Sequence, residues 1–215
     1  MVQTIRPHPA RADVKKRSPG RPRSEEARAA ILASTLELLE ITGFGELTIE
    51  AVAARAGVGK TTIYRWWPTK AVLVADAFMS SVVRETRFPD TGSIEEDIRT
   101  QMQRLAGIFR GPRGRILRSL IGGGQSDPEL IAAFRNRWLL PRRAEAIAVL
   151  ERAVQRGQLS PDIDPNMLLD TLYGPLYFRM LVGHAPVSTS FVSHVCNTVM
   201  GNVALSGNGT HRARR

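Results

Sequence analysis

Residues 48–67 constrain this chain more than any other stretch, because they read as two helices of about two turns each on either side of a glycine. Thr48 offers a side-chain N-cap to the first helix, Gly57 can take the positive φ of a sharp turn, and Pro68 stops the second. Helices this short persist only if they cross closely and share a core. Ala53 is small enough for the crossing, and Val52, Val58 and Ile63 are spaced to fill the gap, with Trp67 expected in the same core. The second helix then turns Lys60, Thr61, Thr62, Tyr64 and Arg65 outward. Cationic, hydroxyl and aromatic groups together suit base edges and phosphates in a DNA major groove.

Every other regular segment also reads as helix, since apolar residues recur at three and four and strand-like alternation is absent, so the fold class is all-α with about nine helices. A first helix opens at Ser24 and stops at Gly43; Thr69 caps another over about 70–86; residues 89–93 are a linker. Beyond it, helices are expected over about 94–110 and 114–121, the latter broken by Gly122, Gly123 and Gly124. Asp127 and Pro128 start a long helix that runs to about 155 with a bend at Pro141, and Asp164 and Pro165 start another over 165–183, kinked at Gly174-Pro175. A last helix covers about 188–204. The organisation is thus a basic flexible arm (1–23), a DNA-binding domain (24–86), a helical effector-binding and dimerisation domain (94–204) and a basic tail (205–215).

Net charge is +10, and its location is informative. Residues 1–23 hold seven Lys or Arg against one acid, and 207–215 hold three Arg and no acid, so the body between is close to neutral. Basic arms on a neutral body suit a polyanion partner. Arg21 and Arg23 sit in a proline-held basic segment of the shape that enters a narrow minor groove. Cys196 is the single cysteine, which excludes an internal disulfide and a multi-cysteine zinc site. No apolar run is long enough for a bilayer and the first 23 residues lack a signal-peptide block, so a cytoplasmic protein with no membrane association is expected.

Enzymatic readings fail on spacing. Gly57, Gly59, Lys60 and Thr61 imitate the end of a phosphate-binding loop, but Ala54 stands where that loop needs a glycine and a helix stands where it needs a strand. No nucleophile-elbow pattern occurs, and His8, His184, His194 and His211 have neither catalytic nor ligand spacing. No enzyme, metal or cofactor is expected. A nonspecific architectural DNA-binding protein would explain the arms, yet it leaves about 120 residues of second domain without a task.

Residues 24–86 resemble the DNA-binding domain of TetR-type transcriptional regulators through Leu47-Thr48, Val52-Ala53, Ala56-Gly57-Val58, Ile63-Tyr64 and Trp67-Pro68-Thr69-Lys70 followed by Leu73. The resemblance implies an all-helical homodimer that binds an operator in double-stranded DNA and senses a small-molecule effector in its C-terminal domain. By matching position, Thr48 and Lys70 would hold phosphates, Lys60 and Thr61 would face bases, and Thr62, Tyr64 and Trp66 would grip the backbone; Gly59, Arg65, Arg21 and Arg23 complete the expected DNA-contact set. Thr61 and Trp66 depart from the residues usual there. The expectation is a repressor released by a small apolar ligand.

In the second domain, residues 168–181 are apolar nearly all round the helix, more than one monomer's core can cover. Leu172, Leu176, Met180, Phe191, Val195 and Val199 are the expected dimer contacts, in a four-helix interface built from the last two helices and their copies. Met102, Leu105, Phe109, Leu120, Phe134, Trp138 and Tyr173 could line an apolar pocket or fill solid core; Gln101, Asn136 and Arg137 are polar groups that could orient a ligand there, but such groups are more often solvated.

Overall fold

The computed structural model describes residues 21–207, with side chains described from 25 to 203. The elements in chain order are α1 (Arg21–Glu46), α2 (Ile49–Ala56), α3 (Lys60–Trp66), α4 (Lys70–Val82), α5 (Ile94–Arg110), α6 (Pro112–Gly123) and α7 (Pro128–Phe134). A π-helical turn (Arg135–Leu139) leads into α8 (Leu140–Gln155), followed by α9 (Pro165–Val182) and α10 (Thr189–Gly207). Counting the run from Pro128 to Gln155 as one bent helix gives nine among the described residues, and these contain no strand.

The punctuation works as its chemistry requires. Thr48, Thr69, Ser93, Asp127 and Asp164 each accept a backbone N–H at the start of the helix they precede. Gly43 breaks α1 with φ 73°, although helical geometry resumes to Glu46. The helix begins at Arg21 and not at Ser24, so Arg21 and Arg23 belong to its first turn; their side chains, and the arm and tail at 1–20 and 208–215, lie outside the described residues.

Three boundaries differ from expectation. The α-helical part of α4 ends at Val82, and a turn in which Thr86 N–H bonds the Val82 carbonyl (3.1 Å) takes over. Gly122 and Gly123 do not break α6 but complete it. A Cβ on Gly123 would lie 3.3 Å from Leu130, and one on Gly124 3.1 Å from Ile131, so the glycines let this end of α6 close onto α7. The irregularity expected at Pro141 sits just upstream, where Leu140 N–H reaches back five residues to the Arg135 carbonyl. Proline has no N–H for the Arg137 carbonyl and its ring crowds it, so the preceding turn widens while Pro141 opens the next helix. Pro175, by contrast, stands inside α9, which continues as one helix to Val182.

One hydrophobic core links the two halves of the chain. α1 packs on α2, α4 and α6; α4 packs on α7 and the π turn; α5 packs on α6 and α10. The linker is folded onto this body by polar bonds: buried Asp97 accepts from Thr91 N–H (2.9 Å) and Oγ1 (2.7 Å), and Arg156 donates to Asp90 at 2.9 Å. No helix among the described residues is long and apolar enough to cross a membrane.

Candidate DNA-binding interface and cavity

The crossing of α2 and α3 is held from below. Ile49, Val52, Ala53 and Ile63 are buried, and Val58 is half-buried against them. Gly57 adopts φ 66° and ψ 33°, and the N–H groups of Gly57 and Val58 turn back to the Ala54 (3.4 Å) and Ala53 (3.0 Å) carbonyls. A side chain at Gly57 would meet nothing, so the glycine is required by its dihedral angle alone. With Ile63 inward, α3 exposes Lys60, Thr61, Tyr64 and Arg65, while Thr62 and Trp66 are half-buried at its flank. Gly59 precedes it in extended backbone. The Arg65 guanidinium lies 5.3 Å from the Trp66 ring, which stands edge-on to Trp67 at 5.5 Å. Thr48 Oγ1 accepts from Ala51 N–H at 3.1 Å, and the exposed hydroxyl keeps its own proton to donate.

The two lysines have different occupations. Lys60 Nζ donates to Glu50 Oε1 at 2.9 Å across the motif, with both side chains more than half exposed. That hydrogen bond holds the Glu50 carboxyl below the usual carboxylate range and the Lys60 ammonium above its own. Lys70, expected at a phosphate, is also engaged within the chain. Its Nζ donates to the carbonyls of Phe44 (3.0 Å), Leu47 (3.1 Å) and Gly45 (3.5 Å) and sits 4.3 Å from the Phe44 ring. Three carbonyls released where α1 breaks attract the nearest cation.

Trp67, at the end of α3, is buried, and its Nε1 donates to Asp76 Oδ2 at 2.9 Å. Asp76 lies on α4, and its Oδ1 is 3.5 Å from Arg137 Nη1 in the π turn, too poorly aligned for a hydrogen bond. A polar chain thus connects the end of α3 to the second half of the protein. Sequence reading placed Arg137 in solvent and missed this, because residues 61 positions apart in sequence carry no shared period.

Between α5, the π turn, α8 and α9 the second domain holds a partly open cavity of about 70 Å³. Leu105, Trp138 and Tyr173 line it, as the sequence suggested. Met102, Phe109, Leu120 and Phe134 do not; they are buried core, with Phe109 edge-on to Tyr177 at 5.0 Å. The sequence missed Phe88, Tyr177 and Arg142 on the cavity wall, and it misplaced Gln101, which is buried and accepts from the Tyr173 hydroxyl at 2.5 Å. Burial pushes the phenol groups of Tyr173 and Tyr177 well above their usual range. No group of His, Cys, Asp and Glu suited to a metal occurs among the described residues.

The expected dimer contacts divide as well. Leu172, Leu176, Met180 and Val195 are buried within the chain itself, which removes them from any partner's reach, whereas Phe191 and Val199 are partly exposed. The open face of α9 runs through Met167, Thr171, Gly174, Phe178, Leu181 and Val182. Spacings of three and four place these on one stripe, whose Met167 and Thr171 border a groove shared with Thr198 and Val199 of α10.

Residues 31–77 match the family described as bacterial regulatory proteins, tetR family, and residues 88–199 match the tetracyclin repressor-like C-terminal domain. The chain is 38% identical over 188 residues to an uncharacterized HTH-type transcriptional regulator of Bacillus subtilis, YdeS, covering 87% of this chain and 95% of that one. It is 31% identical over 181 residues to the DNA-binding transcriptional repressor TetR of Mycobacteroides abscessus, covering 83% and 94% of the two chains. Among solved structures, the TetR family transcription regulator SCO0332 superposes with a TM-score of 0.74 at 39% identity, over 83% of this chain and 98% of that one.

Proposed function

The chain belongs to the tetR family of DNA-binding transcriptional regulators, and from that membership we propose that it is a homodimeric repressor, released from its operator when a small, largely apolar molecule enters the cavity of its second domain. The observation that carries the reading is the layout of α3, whose buried Ile63 side leaves Lys60, Thr61, Tyr64 and Arg65 open to a major groove. Repression is favoured by the similarity to the DNA-binding transcriptional repressor TetR of Mycobacteroides abscessus.

Dimerisation is supported by the exposed apolar stripe of α9. Phe178 is 59% exposed, Val182 59% and Met167 66%, a concentration that isolated soluble chains rarely leave in water. Two copies joined about a two-fold axis through this stripe and α10 would bury it and present two α3 helices to successive major grooves. Release requires that the effector prefer the arrangement in which those helices are misaligned, and a tenfold loss of operator affinity needs only about 1.4 kcal/mol of such preference. The chain Trp67–Asp76–Arg137 and the packing of α4 on the π turn supply a physical route between cavity and α3.

The test is to select DNA fragments with the purified protein, sequence them and footprint the enriched site. A pseudo-palindromic site protected by a dimer, with half-sites about one helical turn apart or a multiple of it, is the expected result. Affinity that is flat across sequences would favour a nonspecific architectural protein and sink the regulator reading.

A further inference from the structure

Two polar side chains on the cavity wall, Gln101 and Arg142, are tied to one backbone carbonyl at the junction between the halves. Thr86 closes the turn after α4, and its fully buried side chain donates to the Val82 carbonyl at 3.0 Å. Its own carbonyl accepts from Gln101 Nε2 at 3.3 Å and from Arg142 Nη2. Gln101 and Arg142 both line the cavity, and Gln101 is held by the Tyr173 hydroxyl. The Arg142 side chain is only 12% exposed, with its guanidinium 5.8 Å from the Phe88 ring and 5.9 Å from Trp138.

Donors outnumber acceptors around this space. Of the five guanidinium N–H groups of Arg142, one goes to Glu145 and one to Thr86. Gln101 uses one of its two amide N–H groups. The charged residues on the wall, Arg142 and Arg143, are both cations; their acidic partners Glu145 and Asp170 are outside the lining and 40% and 68% exposed. The rest of the wall is apolar or aromatic, including Leu105, Trp138 and Tyr177. A molecule that completes this site brings an anionic acceptor at one end and a flat apolar body at the other.

We propose that the effector is an aromatic carboxylate, which takes Arg142 and Gln101 as hydrogen-bond donors in competition with the Thr86 carbonyl. Binding then loosens the tie that fixes the end of α4 to α5 and α8, and α4 carries Asp76, the acceptor of Trp67 at the end of α3. A space of about 70 Å³ is smaller than a benzene ring requires, so the wall must open on binding. The π turn carrying Trp138 and Leu139 is its least regularly bonded part. This inference rests on the effector-responsive reading above and adds the chemical class of the ligand and the bond it breaks.

The experiment titrates the full-length protein, free and on its selected DNA site, with benzoate, phenylacetate and 2-naphthoate, and with benzamide and benzyl alcohol as neutral counterparts. At least one of the acids should bind ten or more times more tightly than its neutral counterparts and weaken DNA binding to a matching degree. Arg142→Gln, which can still donate to Thr86, should keep the thermal midpoint close to that of the parent protein while losing the preference for the acid. Tyr173→Phe, which frees Gln101 without changing shape, should weaken the acid several-fold. Neutral compounds that bind as well as the acids and release DNA would overturn the carboxylate assignment and leave the effector reading standing. An acid preference retained in Arg142→Gln would overturn the site. If no compound of either kind binds at millimolar concentration while the DNA site is held tightly, the aromatic-carboxylate assignment falls, and the DNA-binding half of its parent reading stands on the site selection alone.

Discussion

Lys60 and Lys70 look alike in sequence, a lysine at the first position of a short helix, yet their surroundings assign them opposite sensitivities. Lys60 is exposed and its only partner among the described residues is the equally exposed Glu50, an ion pair that contributes little to folding. Lys60→Ala should therefore leave the thermal midpoint almost unchanged and lower affinity for the selected DNA site about ten- to hundredfold, with a smaller loss on scrambled DNA. Competition binding on the two duplexes checks this, and an equal loss on both would remove Lys60 from base contact. Lys70→Ala, by contrast, strips three carbonyls at the break in α1 of their donor. It should cost about 2 kcal/mol of stability, read by denaturant unfolding, alongside any loss of phosphate contact. A variant that unfolds like the parent protein while losing DNA on all sequences would make Lys70 purely a phosphate ligand. The sequence separated the two by expected DNA contact but not by structural role, because the Phe44, Gly45 and Leu47 carbonyls approach Lys70 only after α1 and α4 pack.

At the scale of elements, capping side chains made the helix starts legible at Thr48, Thr69, Asp127 and Asp164, since a cap acts within three residues of itself, whereas α1 starts at Arg21, ahead of the cap expected at Ser24. Endings were less legible where tertiary contacts decide them, as at the triple glycine, which serves the approach of α6 to α7 and not a break. The turn between α5 and α6 shows the same dependence. Gly114 lies in the first turn of α6, and a Cβ there would come 2.1 Å from the Phe109 carbonyl oxygen and 2.6 Å from its carbon. Backbone cannot move aside as a side chain can, so Gly114→Ala should destabilise by about 3 kcal/mol and lower Tm by roughly 6–12 °C. A calorimetric Tm within 2 °C of the parent protein would show that the turn relaxes freely.

At the scale of the whole molecule, the proposed dimer needs a surface that the chain's own core leaves uncovered. The stripe through Thr171, Gly174 and Phe178 is exposed, whereas Leu172, Leu176 and Met180 on the other faces of α9 are already inside. Phe178→Asp should then leave the monomer folded, because the side chain is 59% exposed, and convert a sedimenting dimer into monomer with loss of operator binding. A variant that remains dimeric would place the interface elsewhere. The sequence by itself determined the helical class, the two-helix reading motif with its αL glycine, and the outward set on α3. All of these depend on local periodicity, caps and dihedral limits within a few residues. It also determined that α9 is apolar all round, without telling which faces meet the chain's own core. Only the tertiary structure decided that division, the engagement of Lys70, the line from Trp67 through Asp76 to Arg137, and the convergence of Gln101 and Arg142 on Thr86. The physical reason is that each joins groups 9 to 61 residues apart whose meeting is fixed by how helices pack, and packing leaves no period in the sequence of either partner.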